Sequence, residues 1–140
     1  MTLRPFRPAD IPLARALWQA TPGVGLSAAD EPAALRAFLT RNPGTCFVAE
    51  SDGRLTGTIL VGHDGRRGLI HHLAVATDCR RSGLGRSLVE AGLQALHRQG
   101  IDKCHLMVFA DNAGGAAFWT GIGATRRSEL DLFSLATAPR

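Results

Sequence analysis

The chain has 140 residues, 45% of them apolar and 20% charged, with a net charge of +4. That balance describes one globular domain over residues 1–140, able to bury about two-thirds of its unfolded surface. No apolar run reaches bilayer-spanning length, and Met1-Thr2-Leu3-Arg4-Pro5 contains no signal core, so the expectation is a cytoplasmic protein with no membrane attachment. The arginines are dispersed and no aromatics alternate with them, which argues against a nucleic-acid partner. Cys46, Cys79 and Cys104 are odd in number and lack a Cys-x-x-Cys pair, so neither a disulfide framework nor a metal site is expected.

Thr2 to Arg7 reads as a first strand, ended by Pro8, with Asp10 placed to cap a helix from Ile11 to Ala20. Its apolar face is expected at Leu13, Ala16, Leu17 and Ala20. Pro22-Gly23-Val24-Gly25 breaks it. A second helix begins between Ala28 and Pro32, turns Leu35, Phe38 and Leu39 inward, and stops at Asn42-Pro43-Gly44. Three strands follow: Thr45 to Glu50, Leu55 to Val61 and Gly68 to Val75, joined by Asp-Gly turns. A helix from Gly83 to Gln99 buries Leu84, Leu88, Ala91, Leu93 and Leu96. Cys104 to Phe109 is then a strand parallel to the one before that helix, Ala113 to Thr120 a short helix, and Glu129 to Leu135 a last strand whose exposed edge could pair across a homodimer.

The segment Arg80-Arg81-Ser82-Gly83-Leu84-Gly85-Arg86 lies at a strand-to-helix junction. A helix start presents unpaired N–H groups and partial positive charge, and glycine lets the backbone approach an anion closely. Guanidinium groups add paired hydrogen bonds to phosphate oxygens. The expected guest is a diphosphate; a solvated helix start is the plain alternative. The third glycine of a dinucleotide fingerprint is missing and no Gly-x-x-x-x-Gly-Lys-Ser/Thr occurs, which excludes those two phosphate loops.

Arg-x-x-Gly-x-Gly at this junction, Leu73-Ala74-Val75 before it, and Val108-Phe109-Ala110-Asp111-Asn112 with Ala116-Ala117-Phe118-Trp119 after it resemble the Gcn5-related N-acetyltransferase (GNAT) superfamily. The resemblance implies an α/β (α+β) GNAT fold: a mixed, mostly antiparallel sheet of six to seven strands with splayed parallel strands four and five, flanked by four helices. It implies acetyl-CoA as co-substrate, without a metal, and an amine acceptor that is a small molecule or a protein amine. Pantetheine contacts fall on Leu73, Ala74 and Val75 by β-like pairing, and diphosphate contacts on Arg80, Arg81, Ser82, Gly83, Leu84, Gly85 and Arg86. Asn112 and Phe118 are placed with the cofactor, Asn112 having a helix cap as its alternative.

Acetyl transfer needs a neutral amine and a protonated or stabilised leaving thiolate. Trp119 stands where many relatives carry a proton-donating tyrosine, and the chain has no tyrosine at all. An indole N–H cannot deliver its proton as a phenol does, leaving water or Cys104. For the base, the resemblance points to His71. Strict alternation along the strand would put His71 and His72 on opposite faces. His63 and Asp64 read as turn residues, and Trp18 as a core residue or a wall of the acceptor pocket. A catalytically weak acyl-CoA-binding or sensing module is the alternative function.

Overall fold

The computed structural model describes residues 1–139. Its contacts separate into two units, Met1–Phe109 and the chain from Ala110 onward. The first contains a five-stranded sheet in the order β1-β2-β3-β4-β5, made of β1 (Thr2–Pro5), β2 (Phe47–Ser51), β3 (Arg54–His63), β4 (Gly68–Val75) and β5 (Cys104–Leu106). The first four strands pair antiparallel, whereas β4 and β5 are parallel. The same unit holds helices α1 (Ile11–Gln19), α2 (Pro32–Arg41) and α3 (Leu84–Arg98).

Strand alternation decides which helix covers which face. Thr58 and Leu60 of β3 point toward α1, where Trp18 Nε1 donates to Thr58 Oγ1 at 2.8 Å. Ile59 and Val61 point toward α3. A Cβ on Gly92 of α3 would lie 2.9 Å from Val61 Cγ2, so a bare glycine is what lets the helix sit this close to the sheet. One core, containing Phe6, Trp18, Leu35, Val48 and Leu60, fills the space beneath α1 and α2.

Several expectations are corrected by the packing. The buried stripe of α1 is Ile11, Ala14 and Trp18, and Leu13 is exposed. Trp18 is only 1% exposed, and so large a side chain sets the rotation of so short a helix. In α3 the buried face is Leu84, Leu88, Val89, Gly92, Ala95 and Leu96. Leu93 falls outside it, five residues and hence about 140° around the helix from Leu88. The strand expected from Thr2 to Arg7 ends at Pro5, and that from Cys104 to Phe109 ends at Leu106.

The sheet has five strands rather than six to seven, because Glu129 to Leu135 forms none. Its apolar residues change parity between Leu132 and Phe133, so no single face would bury them all, and Leu130, Leu132, Phe133 and Leu135 stand exposed. In the second unit α4 (Ala113–Gly121) completes four α-helices among the described residues, and Phe118 and Trp119 meet edge to face with ring centroids 5.2 Å apart.

Asp10 does not cap α1 through its side chain. Its two oxygens instead receive the Arg4 guanidinium at 2.8 Å each, and Oδ2 also accepts from Arg7 N. Arg4 continues to Glu50, so one side chain ties β1 to β2 and to the start of α1. Burial alone would raise the pKa of Asp10, but Arg4 and the Arg7 N–H outweigh it and hold the carboxyl below its ordinary 3.8. A depressed folded pKa gives stability that is complete above the unfolded value and lost as pH falls through the folded one. Asp10→Asn is therefore expected to cost about 2 kcal/mol at pH 7 and much less in strong acid, where the wild-type carboxyl is protonated too. Urea melts of both proteins at the two pH values check this, and a gap that does not shrink in acid contradicts it.

Candidate active site

Pairing between β4 and β5 covers only Gly68 to Ile70 opposite Cys104 to Leu106. Beyond Ile70, β4 runs on to Val75 bonded to β3, and among the described residues one edge of His71 to Val75 has no strand partner. Leu73, Ala74 and Val75 all lie on this stretch. An unpaired strand edge presents backbone N–H and C=O groups to whatever lies beside it.

The chain then passes through a short 3-10 turn (Thr77–Cys79) into the arginine loop. Arg54 clamps that turn with a bidentate pair to Asp78 at 2.6 and 2.8 Å. Arg81 adopts φ 62° and Gly83 φ 81°, with Gly83 as the N-cap of α3. Left-handed residues in close succession turn neighbouring N–H groups toward a common concavity. Gly85 is not among the positive-φ glycines; it lies in the first turn of α3, so the steric argument applies to Gly83 alone.

Among the described residues no side chain caps α3, and its first intrahelical bond runs from Ser87 N to Gly83 O. The N–H groups of Gly83, Leu84, Gly85 and Arg86 thus have no partner within the helix. Around them, Arg80 Nε donates to Val75 O at 3.3 Å, Ser82 Oγ donates to Cys79 O, and Arg86 pairs with Glu90 at 3.5 Å on the exposed helix surface. The Leu84 side chain is buried, so its contribution to the loop is its backbone.

The largest departure from the sequence reading is on β4. Thr58 pairs with Ala74 and Leu60 with His71, so two steps on β3 face three on β4. The extra residue is a bulge, and His72 takes φ 46° there. A bulge shifts the alternation by one. His71 lies across the ladder from Leu60 and 6.0 Å from the Phe38 ring of α2, while the His72 ring lies 4.7 Å from Trp18 of α1. Both imidazoles thus project toward α1 and α2, with centroids 6.4 Å apart. The expectation of opposite faces is wrong because it assumed a regular ladder.

His72 also takes a partner that sequence reasoning missed. Its Nε2 lies 2.6 Å from Asp30 Oδ1, and Asp30 Oδ2 accepts from Ser27 N at 2.9 Å in a capping box. Thr58 Oγ1 donates to the His72 carbonyl at 2.9 Å. The capping pattern Ser27-x-x-Asp30 was visible in the sequence, but nothing there linked it to residue 72. His71 makes no side-chain hydrogen bond among the described residues; burial, and then the neighbouring His72, hold its pKa below the ordinary 6.5.

Other expected groups fall elsewhere. Cys104 sits opposite Gly68, four residues and about 13 Å along β4 from His72. Burial raises its pKa. Asp64 Oδ1 accepts from Arg66 N and Arg67 N, and His63 Nδ1 from Gly65 N, so both are turn residues. Asn112 Oδ1 accepts from Gly115 N at 2.9 Å and caps α4. A cavity of about 190 Å³ between Phe6, Leu39, Asn42 and Cys46 has the Cys46 thiol as its ionisable group, and burial pushes that thiol up to about 11. No group of three or more potential metal ligands occurs among the described residues, and none of the described helices is long and apolar enough to cross a membrane.

A family model described as "Acetyltransferase (GNAT) family" matches residues 12–124. The chain belongs to the GNAT acetyltransferase family. A protein named acetyltransferase from Photorhabdus laumondii is 33% identical over 116 residues, spanning 80% of this chain and 78% of that one. Against another acetyltransferase, from Pectobacterium atrosepticum, identity is 36% over 74 residues, and the match spans about half of each, 53% of this chain and 52% of that protein. Among solved structures, Ard1 from Thermoplasma volcanium superposes with a TM-score of 0.76 at 24% identity, covering 87% of this chain and 80% of that one, which shows the shared fold. Among the described residues the GNAT fold here is thus a mixed sheet of five strands with four α-helices.

Proposed function

We propose that this GNAT member is an acetyl-CoA-dependent N-acetyltransferase in which a primary amine attacks the thioester directly. The observation that carries the reading is the continuity of the free β4 edge with an uncapped helix start that Arg80, Arg81 and Arg86 flank in the chain. Pantetheine would lie along Leu73, Ala74 and Val75, exchanging amide hydrogen bonds with the strand beside a splayed β5. The diphosphate would sit on the N–H groups of Gly83 to Arg86, with Arg80, Arg81 and Ser82 closing over it.

The carbonyl oxygen, which gains negative charge as the amine attacks, is suited to a backbone N–H of β4, a donor already fixed in place. With no tyrosine in the chain and Trp119 unable to give up a proton, the thiolate takes its proton from water. The amine proton goes to an imidazole. The resemblance gives that role to His71, which its lowered pKa keeps neutral and able to accept at pH 7. The bulge supplies His72 on the same face as a second candidate.

Titration calorimetry with acetyl-CoA and, separately, with pantetheine tests the cofactor site. Acetyl-CoA is expected to bind at least about 100-fold more tightly, a gap of about 2.7 kcal/mol contributed by the diphosphate end. Thiol release on adding amines then tests transfer. Binding of acetyl-CoA without release on any amine would favour a sensing module, and equal binding of the two ligands would remove the diphosphate site.

A further inference from the structure

Resting on the acetyltransferase reading, we infer that the residue that deprotonates the acceptor amine is His72, and that Asp30 is its positioning residue. The side chains of His72 and Asp30 are 15% and 10% exposed, so the contact between them is nearly dry. Asp30, as a carboxylate, only accepts, so His72 Nε2 must be the donor in the 2.6 Å bond. That assignment leaves the lone pair on Nδ1. Nδ1 makes no hydrogen bond among the described residues, yet no partly or fully buried side chain there has a sealed-off polar atom without a partner. Nδ1 therefore reaches solvent.

The remaining contacts fix the ring. Trp18 packs against it with centroids 4.7 Å apart, and Thr58 joins both halves of the arrangement by accepting from Trp18 Nε1 and donating to His72 O. A carboxylate on one ring nitrogen with the other left free is the geometry by which an imidazole is held in one tautomer to receive a proton. His71 has no such partner. The position is also apt, since His72 directly precedes the Leu73 to Val75 edge assigned to pantetheine. A non-glycine residue held at positive φ by several packed groups is the kind of strain that accumulates at functional positions.

In the step itself an ammonium R–NH3⁺ gives one proton to Nδ1, and the freed nitrogen forms the N–C bond to the thioester carbonyl carbon. The C–S bond breaks with its electron pair going to the CoA sulfur. The second nitrogen proton passes to water while water protonates the thiolate, and His72 returns its proton to solvent.

The test compares two nucleophiles by thiol release from acetyl-CoA at pH 7: glycinamide, which is mostly ammonium and needs a base, and hydroxylamine, which is already neutral and does not. His72→Gln is expected to lower turnover with glycinamide about 100-fold while turnover with hydroxylamine is nearly unchanged. The ratio is internal to one sample, so partial unfolding cancels. Asp30→Asn, whose amide can donate to Nε2 and favour the wrong tautomer, should show the same selective loss to a smaller degree, and it carries the test if His72→Gln does not fold. Equal loss with both nucleophiles would make the cluster structural, and selective loss in His71→Gln in place of His72→Gln would move the role to His71; either result overturns the inference. A wild type that binds acetyl-CoA and transfers to neither nucleophile overturns the acetyltransferase reading, and this inference with it.

Discussion

Trp18→Ala is expected to destabilise the protein by about 4 kcal/mol, the cost of emptying a large core position, and to lower its melting temperature by about 12 °C. Trp18 is 1% exposed and sits in the core shared by α1, α2 and the sheet. Its indole N–H is also spent on Thr58 Oγ1, so Trp18→Phe keeps most of the volume and loses the hydrogen bond, for about 1.5 kcal/mol. Denaturant melts of the three proteins decide the matter. If Trp18→Ala lost no more than Trp18→Phe, the residue would not be the packing centre of α1, and the ring that holds His72 would be a surface contact.

The second large effect concerns Gly83. Nothing lies within 4 Å of a Cβ built there, so a side chain would meet no neighbour, and any folding cost of Gly83→Val comes from holding a β-branched residue at φ 81°. That cost should be about 1–2 kcal/mol. The effect on acetyl-CoA should exceed it, with affinity lowered at least about 100-fold, because the added methyl groups stand where phosphate oxygens must approach the N–H groups of the helix start. Calorimetry and a melt on the same preparation separate the two effects. Unchanged affinity in a folded Gly83→Val protein would move the diphosphate off the start of α3.

How much of this could be read in advance differs from element to element. The strand-to-helix junction from Arg80 to Arg86 was legible because its signals are local: a glycine at the helix start and an apolar run on either side carry their meaning without reference to the rest of the chain. The parallel relation of β4 and β5 followed from the helix that connects them, which carries the chain back so that the next strand starts in the same direction. The α1 stripe was misread because several apolar residues compete for the core, and only packing shows that Trp18 takes it. The last strand was misread because apolar content suggested it while its broken alternation denied it a face to bury.

The sequence by itself determined the family, through the resemblance of the Arg-x-x-Gly-x-Gly junction and its flanking segments, and the order of elements as far as α4, which rests on periodicity and turn residues a few positions apart. It also placed two adjacent histidines on β4. Tertiary structure alone decided where they point, because a single extra residue against β3 reverses the alternation, and no local pattern marks the register at which that happens. The pairing of Asp30 with His72 across 42 positions is of the same kind. It exists because the cap that holds Asp30 and the bulge that turns His72 meet over Trp18, a coincidence of three distant segments that only the folded chain brings about.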